Sequence, residues 1–236
     1  MAKQMLSEQM YCLTGRSMPQ RVTLAAALAC CVALAWWLLF FGGAAVLGHW
    51  SGHRWPLGNL ARRAALAAAL SIYFVRVLFT EFVFLKRGVS WTEVLTIAPW
   101  VFAIYALLAL AGGTNAAPFG AVAIAGAVLF ILGSWMNSWA EHQRHAFKLR
   151  AENRGKLYTE GLFRLVRHPN YLGDLISFSG LCFMAGPWFT AIVPALMLCG
   201  FVFANIPALD AHLSDHYGPD FDQYARRTRK LIPFLY

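Results

Sequence analysis

Asn137, Glu141, Arg144 and Lys148 follow one another at spacings of four, three and four. On a helix those positions share one face. An amide, a carboxylate and two cations would then form a ladder, with His145 beside it. The other face carries Trp135, Trp139, Ala146, Phe147 and Leu149. Such a ladder can hold a polar ligand through hydrogen bonds and charge. A helix with one charged and one apolar face can also simply lie at a membrane surface. Asn137 argues for the ligand, because it falls at or below the headgroups, where a polar side chain needs a partner.

A second group follows closely. Residues 153–161 form a polar loop with two glycines, and residues 162–174 contain Arg164, Arg167, His168, Pro169, Asn170 and Asp174. Proline opens a helix readily from its first turn. A helix beginning near Pro169 would point free N–H groups at the arginine-rich loop, and helix N-termini bind phosphate well. Arg164, Arg167 and His168 would converge there, which suits an anionic, phosphate-bearing ligand. The other reading is that Arg164 and Arg167 anchor lipid headgroups. Asn170 and Asp174 stand four apart on the new helix. An acid there needs a partner: an arginine, or the hydroxyls of a ligand sugar. Near the end of the chain, His212, Asp215 and His216 share a helix face but lack a ligand from another element, so no metal site is expected. A helix that packs against the loop fits them better.

These residues belong to an otherwise apolar chain. Of 236 residues, 59% are hydrophobic and 13% charged, where a soluble domain carries about 25% charged residues. A span of the hydrocarbon core takes about 20 apolar residues. Six tracts are candidates: 22–48, 64–85, 94–111, 119–139, 172–186 and 188–207. The fifth is short and should begin inside the motif before it. The expectation is an all-α, polytopic membrane bundle of about six transmembrane helices, with seven as the other count. Residues 1–136 would form a substrate cavity and residues 137–236 the cofactor-binding region. The first tract has no cleavage site after it and reads as a retained helix.

Charge placement sets orientation. Residues 141–170 hold seven lysines and arginines, the tail holds Arg226, Arg227, Arg229 and Lys230, and the turns near 112–118 and Pro187 hold none. Both termini are therefore expected in the cytoplasm. Arg54, Arg62 and Arg63 conflict, since their loop would face outward. The net charge of +9 lies at the ends of apolar tracts, as membrane anchoring requires, and does not point to nucleic acid. The cysteines Cys12, Cys30, Cys31, Cys182 and Cys199 have no metal-ligand spacing and read as small packing residues. No feature calls for an obligate protein partner.

The last hundred residues or so resemble the steroid 5-alpha-reductase and sterol C14/C24-reductase superfamily, in particular its bacterial branch. Asn137-x-x-x-Glu141-x-Gln143-Arg144-x-x-Phe147-Lys148 is similar to the family's Asn-x-x-x-Asp-x-Gln-Lys-x-x-Phe-Arg. Arg167-His-Pro-Asn-Tyr-Leu-Gly-Asp174 is similar to its Arg-His-x-Asn-Tyr-x-Gly-Asp/Glu. Tyr217-Gly, Tyr224 and Ile-Pro-Phe-Leu-Tyr236 resemble its C-terminal end. The resemblance implies an NADPH pocket lined by Asn137, Glu141, Lys148, Asn170, Asp174 and Tyr217, with Arg144, Tyr158, Arg167 and His168 near the phosphates and ribose. Glu141 and Lys148 depart from the family's Asp and Arg, and lysine gives up arginine's bidentate fork.

Arg-His-Pro-x-Tyr-x-Gly also occurs in isoprenylcysteine carboxyl and phospholipid methyltransferases, which bind S-adenosylmethionine, so methyl transfer is the alternative. Asn170, the Gln-Arg-x-x-Phe-Lys block and the single acid in Pro207-Ala-Leu-Asp210 favour the reductases. The implied reaction is NADPH-dependent reduction of a carbon–carbon double bond in a steroid-like or isoprenoid enone drawn from the bilayer of a bacterial inner membrane. By the same resemblance a glutamate and a tyrosine on early helices would serve the carbonyl, and Glu81 and Tyr105 are the candidates. Glu81 would have to be protonated. An ion pair of Glu81 with Arg76 or Lys86 is the competing expectation.

Overall fold

Pro19 sits in the first turn of α1 (Met18–Phe40), where a missing N–H is tolerated. The computed structural model describes residues 17–236, so Cys12 lies outside the described residues. Gly42, with φ of +80°, ends the run, and α2 (Gly43–Ser51) restarts it. The tract expected as one span is thus two helices. A count of apolar residues does not register a glycine that takes the left-handed turn.

Asn59 caps α3 (Leu60–Phe79), accepting the Arg62 N–H at 3.2 Å. A π-helical turn, Thr80–Phe84, extends it. α4 (Trp91–Gly113) begins with a capping box in which Ser90 and Glu93 exchange hydrogen bonds. α5 (Ala121–Leu149) is the longest helix described. α6 (Pro169–Ala185) starts at the proline, as expected. A 3₁₀ turn at Trp188–Ala191 leads into α7 (Ile192–Gly200). A second π-helical turn, Phe201–Asn205, joins it to α8 (Ile206–Tyr217), and α9 (Pro219–Arg227) follows.

Among the described residues, five stretches are long and apolar enough to cross a membrane: Met18–Phe40, Leu60–Phe84, Trp91–Gly113, Ala121–Leu149 and Trp188–Tyr217. With the shorter α6 packed among them, the chain is an all-helical, polytopic membrane bundle. Its outward faces carry exposed apolar side chains, among them Leu95, Phe102, Ile131 and Phe203. In water that would be a large liability; in lipid it is the matching solvent. Cys30 and Cys199 are exposed, Cys31 and Cys182 are buried, and all four are free.

The pair that positions the polar segment is α5 against α6. Gly126 and Gly133 on one helix, and Gly173 and Gly180 on the other, are each seven residues apart. A Cβ at Gly126 would lie 2.6 Å from the Gly180 carbonyl, and one at Gly133 2.5 Å from the Gly173 carbonyl. Only glycine allows this approach. Small residues bring backbones together in a membrane, where no hydrophobic force drives helices into one another. The contact places Asn137, one turn beyond Gly133, directly against the start of α6.

The two ends of the bundle differ. At one end Gly58 and Asn59 donate to the Gly113 and Asn115 carbonyls at 2.7 and 2.9 Å, and the Asn115 amide reaches the Ala185 carbonyl at 3.0 Å. Arg62 and Arg63 belong to this end and to α3, not to a free loop. Arg62 donates to the Met184 carbonyl and, at 2.9 Å, to the Pro118 carbonyl. Arg63 donates to the Leu39 carbonyl at 2.5 Å and lies over the Phe40 ring. Both arginines satisfy carbonyls left open at helix ends.

Candidate active site

The last turns of α5 carry the ladder expected from the spacing. Asn137 Nδ2 donates to the Asn170 carbonyl at 2.9 Å. Asn170 Nδ2 donates to Glu141 Oε1 at 3.1 Å, and Arg144 Nη2 donates to Glu141 Oε2 at 2.5 Å. Asn137 and Glu141 are both buried. Two amides and one carboxylate thus lock the end of α5 to the start of α6, and the Arg144 guanidinium holds the carboxylate from within α5. Lys148 continues the same face into solvent. Its Nζ donates to the Tyr217 hydroxyl at 2.5 Å and to the Lys156 carbonyl at 3.1 Å. Tyr217, on α8, is therefore brought to the ladder as expected.

The loop after α5 is held to it. Asn153 Nδ2 donates to the Phe147 carbonyl at 3.0 Å, and the Gln143 side chain accepts the Leu162 N–H at 3.2 Å. Gly161 lies against that Gln143 amide at φ of +57°, a left-handed conformation that favours glycine. Tyr158 sits between the Phe147 and Phe163 rings, at 4.9 and 5.3 Å. Burial, with the nearby Glu160 carboxylate, pushes its phenol above the ordinary value. The tail returns over this loop. Arg167 and His168 N–H groups donate to the Arg229 and Lys230 carbonyls at 2.7 and 3.0 Å. Tyr224 donates to the Phe163 carbonyl at 2.7 Å.

Arg167, His168 and Arg164 do not converge on an open anion site. Arg167 Nη2 and His168 Nε2 both meet the Asp210 carboxylate of α8, at 3.2 and 2.9 Å. Arg164 stays exposed. Asp210 is the partner the spacing did not reveal, although it is the one acid in the Pro207–Asp210 stretch. Arg167 Nε remains buried without a hydrogen bond. His212 and His216 stack along α8 with ring centres 6.2 Å apart.

Asp174 takes the arginine option. It pairs with Arg76 Nη2 of α3 at 2.6 Å. With Arg76 held by Asp174, the expected Arg76–Glu81 pair does not form. Glu81 lies in the π-helical turn, with its backbone carbonyl accepting from Arg21 and its Oε1 buried without a hydrogen bond. Arg87, nearby, pairs with Glu93 at 2.6 Å.

Tyr105 is not brought to Glu81. Its hydroxyl donates to the Leu70 carbonyl at 2.8 Å, and the residue is 1% exposed. Leu70 precedes Glu81 by eleven residues on α3, which is about 16 Å along a helix. Between α3 and α5 lies a groove of about 580 Å³ that opens sideways, lined in part by Ile72, Val75, Arg76 and Phe79 of α3 and Ser134 and Trp135 of α5. The positioning residues invisible in the sequence, Arg76 and Asp210, are thus those whose partners come from distant helices.

The relatives fall into two chemistries. The chain is 34% identical over 91 residues to protein-S-isoprenylcysteine O-methyltransferase B of Arabidopsis thaliana, covering 39% of this chain and 46% of that protein. It is 38% identical over 112 residues to a probable O-methyltransferase of Ustilaginoidea virens, covering 46% of this chain and 38% of that protein. It is 26% identical over 113 residues to the steroid 5-alpha-reductase DET2 of Gossypium hirsutum, covering 48% of this chain and 42% of that protein. The chain thus spans less than half the length of each of these three. Over part of its length the chain is thus similar to membrane-class enzymes of both kinds. Residues 83–228, well over half of the chain, match the family described as Protein of unknown function (DUF1295), and the chain belongs to that family.

Proposed function

We propose that the protein is a membrane-embedded, NADPH-dependent reductase of a carbon–carbon double bond in a lipophilic substrate. The carrying observation is the charge around the ladder. Lys148, Arg150, Arg154, Lys156 and Arg164 are all exposed, against Glu152 and Glu160. Among the described residues, no acid pairs with Lys148. A strongly positive face complements the phosphates of NADPH. It repels the positive sulfonium of S-adenosylmethionine. The residues fit the dinucleotide in kind: cations for phosphate, and the Glu141 carboxylate for ribose hydroxyls.

NADPH would supply a hydride. The chain's own residues do the rest. Lys148 and Arg144 attract and orient the phosphates. Asn137 and Asn170 hold α5 and α6 at a fixed spacing, so that the ligand site does not have to be built at binding. Arg167 and His168, tied to Asp210, fix the opening turn of α6. Tyr158, against Phe147, and Tyr217, bonded to Lys148, border the end of the ladder. In this reading residues 137–236 hold the nucleotide on the cytoplasmic face of a bacterial inner membrane. The helices before them hold the lipophilic substrate, and Glu81 is the acid of the pair Glu81 and Tyr105 that retains an unsatisfied oxygen.

The named methyltransferases among the relatives support a second reading, transfer of a methyl group from S-adenosylmethionine. Incubation of the protein in liposomes with a lipid extract separates the two. Loss of NADPH absorption with no methyl label transferred to lipid supports reduction. Methyl label in lipid, with NADPH intact, replaces the reductase reading by the other.

A further inference from the structure

The last residues of the tail run toward the bundle. Val166 and Arg229 form a parallel bridge, and the Arg167 and His168 N–H groups donate to the Arg229 and Lys230 carbonyls at 2.7 and 3.0 Å. His168 leads directly into α6, which passes through the bundle until the Ala185 carbonyl meets Asn115 at the far end. A segment parallel to that stretch heads the same way, so residues 231–236 are aimed at the bilayer. There they close into a tip. The Leu231 and Ile232 N–H groups donate to the Tyr236 carbonyl at 2.7 and 2.9 Å, and the Leu235 N–H donates to the Ile232 carbonyl at 3.1 Å. Pro233 and Phe234 are the middle pair of that turn. Phe234 has φ of +66°, where such a turn usually carries glycine or asparagine. Among the described residues it is the one non-glycine residue at positive φ. It is also 94% exposed, more than any other large apolar side chain described, and Leu235 is 79% exposed. Leu231, behind them, is fully buried.

We propose that this tip is a wedge that enters the leaflet beside it, with Phe234 and Leu235 among the acyl chains and Arg226, Arg227 and Arg229 on anionic phospholipid headgroups. Charge selects the partner. The three arginines are exposed. The acids of α9, Asp220 and Asp222, stand in its first turn, at the end away from the tip. Lys230 turns back instead, with its Nζ over the Tyr236 ring at 4.9 Å, and so braces the tip on its own strand. Cations beside exposed apolar side chains hold a segment at an anionic membrane surface. A second copy of this chain would present the same cations and repel the tip. Burying Phe234 and Leu235 in lipid also offsets the cost of a bulky residue held in a left-handed turn. The wedge bears on α6 as well. The Arg229 and Lys230 carbonyls hold the N–H groups that lead into that helix, so a tip fixed in lipid stabilises the start of α6. None of this depends on which reaction the protein catalyses.

Two measurements test the wedge. In the first, the detergent-purified full chain is melted with added phosphatidylglycerol or phosphatidylcholine. A lipid that binds only the folded state raises the melting temperature. Phosphatidylglycerol is expected to raise it several degrees more than phosphatidylcholine, and salt, which screens exposed charge, should remove most of that difference. Replacing Arg226, Arg227 and Arg229 together by Gln is expected to erase it. Phe234→Asn with Leu235→Ser keeps the turn, because asparagine tolerates the left-handed conformation. That variant is expected to melt like the native chain without lipid and to gain less from phosphatidylglycerol. In the second, a polarity-sensitive dye on Leu235→Cys, in a chain whose other cysteines are alanine, is read in lipid nanodiscs. Discs containing phosphatidylglycerol are expected to give several-fold brighter, blue-shifted emission than discs of phosphatidylcholine alone, and the three glutamines should cancel the gain. Where the cysteine-free chain does not fold, the melting series alone decides. Equal melting gains from the two lipids, a phosphatidylglycerol gain that survives the three glutamines, or water-like emission in phosphatidylglycerol overturns the proposal. Emission that brightens only as more chains are loaded per disc assigns the tip to a second copy and overturns it as well.

Discussion

Lys148 is the residue on which ligand charge should register most clearly. It is exposed, and its hydrogen bonds go to a hydroxyl and a carbonyl rather than to an acid. Lys148→Ala should weaken NADPH binding about tenfold or more, since hydrogen bonds to charged groups contribute about 1.5–3 kcal/mol. Lys148→Arg should preserve it. Titration of each purified variant with NADPH checks this. Asn170→Ala removes the amide that donates to Glu141, keeps the backbone carbonyl that Asn137 reaches, and should abolish binding while leaving the bundle helical by circular dichroism. Tyr224 reports on the tail. Its hydroxyl donates to Phe163, and burial raises its phenol above the ordinary value. The folded state therefore keeps the neutral form longer than the unfolded chain does. The stability this contributes is present below about pH 10, the ordinary phenol value, and is lost as pH rises past it. Tyr224→Phe should cost about 1 kcal/mol and flatten that alkaline loss, as read from melting temperature against pH. At this scale the ladder was legible, because helical spacing alone puts 137, 141, 144 and 148 together. The partners of Asp174 and Asp210 were not, because nothing local encodes a contact between residues 76 and 174.

The element that decides the site is the glycine seam between α5 and α6. Gly133→Leu would drive a side chain into the Gly173 and Ser177 backbone. Overpacking costs about 1–3 kcal/mol in well-packed interiors, and here the obstacle is backbone that cannot rotate away. The expected result is a lower melting temperature and loss of cofactor binding together, since Asn137 and Asn170 would separate. Gly120→Ala, where nothing lies within 4 Å, is the matched control and should change neither. The seam was readable in principle as paired seven-residue glycine spacing, but it carries meaning only once the two helices are known to be neighbours. The break at Gly42 escaped for a related reason: hydropathy averages over a backbone turn. Pro169, by contrast, announced the start of α6, because proline's effect on helix geometry is local.

Across the whole molecule, polar chemistry is confined to one end, and the other end is tied by Arg62 and Arg63. Arg62→Gln should destabilise the bundle by about 1.5–3 kcal/mol without altering nucleotide binding, which a melting curve taken with and without NADPH would show. The apolar helices made the membrane class plain from composition, and the clustered cations pointed to an anionic ligand. Neither composition nor spacing could locate the groove, which exists only where α3 and α5 diverge. The central claim is that the polar end holds a phosphorylated dinucleotide. Thermal stabilisation of the detergent-purified protein by NADPH, compared with S-adenosylmethionine at equal concentration, tests it most directly. The account predicts a rise in melting temperature with NADPH that vanishes in Lys148→Ala, and none with S-adenosylmethionine. Stabilisation by S-adenosylmethionine alone would contradict it.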